Sequence, residues 1–131
     1  MTIAIHGHNV VDSSGWLAYF ADDENANFFA SAIEDTDNLI VPVICIYEVF
    51  KKVFQSHGKA AAEFRIADMV SGQVVDISAS LAISAAVLSA EQKLPMADSL
   101  ILAIAREQGA ILWTQDEHFE GMENVRFVKK L

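Results

Sequence analysis

Three aspartates sit where apolar sequence should exclude charge. Asp12 ends the run Asn9-Val10-Val11, Asp98 lies inside the almost wholly apolar stretch 94–105, and Asp116 follows Ala110-Ile111-Leu112-Trp113-Thr114-Gln115. A lone ionised carboxylate in such surroundings is costly, so each must be paired, hydrogen-bonded, protonated or bound to metal. No matching set of apolar-embedded cations accompanies them. A shared pocket for a divalent cation satisfies all of them at once, and is the leading chemical reading.

Each acid also has a plainer role. Asp98 is the fourth residue from Pro95, and its helical neighbours Leu94, Pro95, Ile101 and Leu102 include no base. It therefore faces an interior or a pocket, or else bonds the free amides of its own helix start. Asp12 and Asp116 each follow an apolar run, where aspartate is frequent as a cap or turn residue. Glu48 has Lys51 and Lys52 one helical turn after it. That spacing suits surface ion pairs worth about 0.3–0.5 kcal/mol, or a pocket edge where a lysine meets phosphate. Singly these acids say little; as a set they point to one site.

The elements that position them follow from periodicity and punctuation. Strands are predicted at 9–11, 39–41 (closed by Pro42), 73–77, 110–114 and 124–128. Helices are predicted from Ser13 or Ser14 to Phe20, from beyond Asp22-Asp23-Glu24-Asn25 to about Asp35, and over 43–55, 59–70 and 79–92. A further helix runs from Pro95 to the stop at Gly109, and a short turn or helix covers 117–119. Short apolar strands alternating with helices predict a mostly parallel sheet covered on both faces, a three-layer α/β/α sandwich. Ligands of such sheets gather beyond the carboxyl ends of the strands, where Asp12 and Asp116 fall.

With 131 residues and no linker-like stretch, the chain reads as a single domain over 1–131. Its hydrophobic fraction of 53% argues against disorder. No apolar run reaches the ~18–20 residues of a membrane span, and residues 1–8 lack a signal-peptide pattern. The lone Cys45 lies in the apolar run 43–49 and reads as a small buried hydrophobe rather than a nucleophile. One cysteine allows no internal disulfide, so a reducing, cytoplasmic home is expected. Nine basic and 18 acidic residues give a net charge of −9. Such a surface excludes non-specific adhesion to nucleic acid and favours a basic protein partner. A metal acting at contact distance still permits a phosphate substrate.

The histidines carry less. His6 and His8 can share one face of a strand, but two ligands are too few for zinc. His57 fits a helix end before Gly58, and His118, beside Asp116, reads as a surface turn before a substrate contact. The spacing of Trp16, Tyr19 and Phe20 reads as core or dimer contact before base stacking.

Taken together, Val10-Val11-Asp12-Ser13-Ser14-Gly15-Trp16-Leu17, Glu48, the helix Leu94-Pro95-Met96-Ala97-Asp98-Ser99-Leu100 and Leu112-Trp113-Thr114-Gln115-Asp116-Glu117-His118-Phe119 resemble the PIN-domain nucleases. Within them the chain is most similar to the VapC-type toxins of toxin–antitoxin pairs. The resemblance spans nearly everything after Asn9; residues 1–8 are longer and less regular than the family's usual start. It implies that Asp12, Glu48, Asp98 and Asp116 form an acidic quartet holding Mg2+ or Mn2+, supported by Ser13, Ser14 and Thr114. It further implies RNA as substrate, a VapB-type antitoxin, and a homodimer. Lys51 and Lys52 are candidate phosphate contacts. Two alternatives are a non-catalytic scaffold of the same fold, and an aspartate-nucleophile phosphatase. The phosphatase reading expects a second aspartate where Ser14 stands.

Overall fold

The structure, a computed structural model, describes residues 7–131. The chain runs β1 (Asn9–Val11), α1 (Ser13–Phe20), α2 (Ala26–Ile33), β2 (Leu39–Pro42), α3 (Val43–His57), α4 (Lys59–Met69), β3 (Gln73–Val75), α5 (Ala79–Gln92), α6 (Met96–Glu107), β4 (Ile111–Thr114) and β5 (Val125–Phe127). Single 3-10 turns occupy Thr36–Asn38 and Glu117–Phe119. The strands form one five-stranded sheet in the order β3-β2-β1-β4-β5. Every pairing is parallel. The expected α/β/α sandwich is the observed architecture, with six helices among the described residues flanking the sheet.

Double coverage follows from burial. Successive strand side chains point to opposite faces, yet all four residues of β2 are buried, as are Val10 and Val11 of β1. Both faces of the sheet centre are therefore packed. The core gathers Val10, Ile40, Val41 and Leu112 from strands with Trp16, Phe29, Cys45, Val49, Ile101 and Ile104 from helices. The seven consecutive buried residues Ser99–Ala105 explain why α6 reads as apolar all round. Truncating a fully buried aromatic such as Phe29 to alanine costs about 3–5 kcal/mol.

Local chemistry sets the joints. Gly15 lies where a Cβ would come within 2.6 Å of the Phe29 ring, so only glycine lets α1 close on α2. Asp23 turns the chain into α2 by accepting the Asn25 amide at 2.8 Å. Gly109, with φ +62°, ends the α6 segment and releases β4. β3 stops at Val75, two residues short of the expected end at Ile77. The 3-10 turn at Thr36–Asn38 was not signalled by periodicity, since one turn is too short to establish a pattern.

Candidate active site

β1 and β4 are hydrogen-bonded neighbours, Val11 lying opposite Trp113. The residues that leave their carboxyl ends therefore enter one cleft, with Asp12 on one strand and Asp116 just past the other. Asp12 caps α1. Its Oδ1 accepts from Gly15 N at 2.9 Å and from the Ser14 hydroxyl at 2.9 Å, while Oδ2 accepts from Thr114 Oγ1 at 2.6 Å. Only 3% of Asp12 is exposed. Burial pushes its carboxyl up to about 6, against the lowering effect of those three donors, and the Asp116 charge adds to the rise.

Thr114 links the two strand ends. Its buried hydroxyl donates to Asp12 and accepts from the Asp116 amide at 2.9 Å. Asp116 in turn caps the 3-10 turn Glu117–Phe119, accepting the His118 amide on Oδ1 at 2.9 Å. Phe119, fully buried, anchors that turn in the core.

Asp98 projects from the first turn of α6. His118 Nδ1 lies 3.0 Å from Asp98 Oδ2 and 2.9 Å from Asp116 Oδ1. Burial raises the Asp98 carboxyl to about 7, and the adjacent Asp116 charge and hydrogen bond push the same way; His118 opposes them. Among the described residues, no lysine or arginine forms an ion pair with these acids; His118 is their one basic neighbour at that distance. Glu48, half-buried on α3, receives the Ser13 hydroxyl on Oε1 at 2.5 Å. Under all of this sits Cys45, wholly buried, its thiol 3.7 Å from the Val11 carbonyl. Burial drives its titration upward, the Ser13 contact opposes this, and the charges of Asp12, Glu48 and Asp98 add to the rise. Held protonated by burial, the thiol fits the buried-hydrophobe reading.

The four sequence-marked acids thus share one end of the sheet, though not equally. One ligand atom each from Asp98, Asp116 and His118 falls within 4.8 Å of the others. Asp12 and Glu48 are not in that set; the Thr114 hydroxyl links Asp12 to the Asp116 amide, and Glu48 is bonded to Ser13, the residue after Asp12. Ser14 reinforces Asp12. The donor set fits a divalent cation: clustered carboxyl oxygens, one of them strongly resisting ionisation, and little positive charge in reach. Lys51 and Lys52 are exposed one turn beyond Glu48. Lys51 Nζ stands 5.9 Å from the Tyr47 ring, and Lys52 lines a groove with Leu17, Phe20, His57 and Arg65.

His118 is the residue the sequence reading undervalued. Its signal was Asp-x-His directly after a strand, which puts amide and ring on the same carboxylate; the contact to Asp98, 20 positions away, leaves no local trace. The histidine pair near the start is only half accessible to description. His6 lies outside the described residues, and His8 is exposed before β1. Trp16 is fully buried with its ring centroid 5.6 Å from that of Phe20, so it belongs to the core.

The sequence profile of the PIN domain matches residues 10–125. Sequence comparison with curated proteins gives no match. Among solved structures, a toxin–antitoxin complex from Klebsiella pneumoniae contains a chain similar at TM-score 0.75 and 23% identity, covering 90% of this chain and 95% of that one. Mycobacterium tuberculosis VapC20, described as a sarcin–ricin loop cleaving toxin, aligns at TM-score 0.70 and 18% identity over 90% of this chain and 98% of its own. VapBC2 from Rickettsia felis, bound to a DNA fragment from its promoter, aligns at TM-score 0.70 and 16% identity over 92% and 97%.

Proposed function

The chain belongs to the PIN domain family, and from that premise we propose that it is a metal-dependent endoribonuclease, the toxin half of a toxin–antitoxin pair. The observation that carries this reading is the cleft itself. Asp98 and Asp116 face each other with no lysine or arginine paired to them among the described residues, and Asp98 is held up to about 7 by burial and by its neighbour.

Asp12, Glu48, Asp98 and Asp116 would hold the cation. A Mg2+ or Mn2+ ion there would supply the positive charge that lets an anionic phosphodiester approach and would make a bound water more acidic. The chain's own residues provide geometry. Asp12 is fixed by three donors, so its carboxylate does not swing toward solvent. Thr114 keeps Asp12 and Asp116 in register across β1 and β4. Ser13 holds the Glu48 carboxylate of α3 beside the residue that follows Asp12. Such fixed placement lowers the reorganisation needed when charge develops on the phosphate.

An antitoxin of VapB type, through a basic side chain placed among these acids, would substitute for the metal charge; the toxin–antitoxin complexes among the structural neighbours support that part of the reading. A homodimer and a cytoplasmic setting belong to the same proposal. No described helix is long and apolar enough to cross a membrane.

The decisive experiment compares metal-stripped protein with and without Mg2+ or Mn2+ on structured RNA, beside Asp98→Asn. Cleavage restored by the ion in the wild type and absent in the variant, with native circular dichroism in both, is the expected result. Cutting that persists in Asp98→Asn or in a chelator removes the proposal.

A further inference from the structure

The same cleft contains a nitrogen donor that an oxygen-only magnesium site does not need. His118 Nδ1 lies 3.0 Å from Asp98 Oδ2 and 2.9 Å from Asp116 Oδ1, and the three side chains offer ligand atoms within 4.8 Å of one another. We propose that His118 is a metal ligand, completing with Asp98 and Asp116 a mixed nitrogen–oxygen site that selects first-row transition ions over Mg2+. The inference rests on the metal-centre reading above and specifies its chemistry.

Placement of the ring is built in. The His118 amide is already committed to Asp116 Oδ1 at 2.9 Å, and the next residue, Phe119, is fully buried. Backbone and core therefore fix where the imidazole starts, while the side chain itself remains half exposed, open to an arriving ion. A surface histidine of a solvated turn has no reason to reach an acid 20 residues away; this one does, to a carboxyl on a different helix. Magnesium favours near-octahedral oxygen ligands and sheds water reluctantly. Imidazole instead suits Fe2+, Ni2+ and Zn2+, and Mn2+, the first-row transition ion with most taste for carboxylate, accepts an imidazole more readily than Mg2+ does. With one imidazole and two carboxylates converging, the site is matched to an ion that accepts both donor types.

Metal-stripped protein is titrated with MnCl2 and with MgCl2 by calorimetry, and the Mn2+ complex is examined by pulsed electron paramagnetic resonance for coupling to 14N. The wild type is expected to bind Mn2+ more tightly than Mg2+ and to show one nitrogen coupling. In His118→Ala, Mn2+ affinity should fall by at least about tenfold and the coupling vanish, with Mg2+ affinity unchanged. Asp98→Asn should lose both ions. Equal loss of both ions in His118→Ala, or a wild-type Mn2+ complex without nitrogen coupling, overturns the ligand role while leaving the metal centre standing. A wild type that binds neither ion removes the metal centre, and the role of His118 with it.

Discussion

At the β1–α1 junction the carboxylate of Asp12 is met by three donors, whereas at the start of α6 Asp98 faces a second carboxylate with only His118 beside them. Both sites are buried enough to penalise charge. In the first, the fold supplies hydrogen bonds that oppose the penalty; in the second it adds a like charge instead. One half of the cleft is therefore scaffold, and in the other two carboxyls meet and resist being ionised together. On the proposed metal-centre reading, the rigid half would fix geometry and the paired carboxyls of the other half would supply the affinity for a cation.

If that division is right, removing a polar group has opposite signs in the two halves. Thr114→Val deletes the hydroxyl that serves Asp12 and the Asp116 amide together, in a residue that is fully buried. Chemical denaturation should show a loss on the order of 1–3 kcal/mol, the cost of leaving buried polar groups unpartnered. Asp98→Asn should instead stabilise the metal-free protein at neutral pH, because it removes one of two facing charges. A stabilised Thr114→Val or a destabilised Asp98→Asn would erase the distinction.

The pH dependence follows from the same shift. The Asp98 carboxyl titrates near 7 in the fold, above its ordinary 3.8, so the fold favours the protonated form. Its stabilising contribution is complete below about 4 and is lost as pH rises toward and through about 7. Asp12, raised to about 6, acts in the same direction over the lower part of that window. Metal-free wild-type protein should therefore lose stability from pH 4 to pH 7.5, and Asp98→Asn should lose less. Added divalent ion should restore the wild type at pH 7.5 and do little for the variant. A flat profile for the wild type would show that the charges are relieved some other way.

The scaffold half was also the half more open to sequence reading. Asp12 and its serines lie side by side, and strand, cap and helix follow one another within a dozen residues, so local rules reach them. Pro42, Gly58, Pro95 and Gly109 punctuate α3 and α6 so clearly that the expected and observed boundaries differ by two residues or fewer. Parallel pairing was implied by apolar runs, but the strand order β3-β2-β1-β4-β5 was not, since pairing is a long-range choice. The repulsive half depends on such choices. Asp98 meets His118 only because α6 and the turn after β4 converge, and nothing local to either segment announces it. The buried amide of Asn25, which donates to Gln115 Oε1 at 2.8 Å and to the Lys129 carbonyl at 3.2 Å, likewise leaves no local trace.

A smaller effect is expected at the edge of the scaffold. Ser13→Ala frees Glu48 from its 2.5 Å hydrogen bond without touching the Asp12 donors. Because this pair is only part-buried, the stability change should stay within about 0.5–1.5 kcal/mol. Metal affinity, read by calorimetry, should fall less than in Asp98→Asn. A loss as large as that of Asp98→Asn would move Glu48 from the rim to the centre of the site.

The smallest effect concerns α3 one turn beyond Glu48. A chain with net charge −9 gains little from long-range attraction to RNA, so any cation that matters must act by contact. Lys51 and Lys52 are exposed and follow Glu48 by three and four positions, on the helix that brings Glu48 to the cleft. If both touch phosphates of single-stranded RNA, replacing both with alanine should reduce the slope of log affinity against log salt by roughly 1.4, the counterion release of two contacts. Metal affinity should not change, because among the described residues neither lysine forms an ion pair with Asp98 or Asp116. The two readouts separate the helix's roles: a lower slope with intact metal binding makes this turn of α3 a substrate contact. An unchanged slope returns the lysines to an ordinary solvated face and leaves RNA binding to be carried by the metal and by other surfaces.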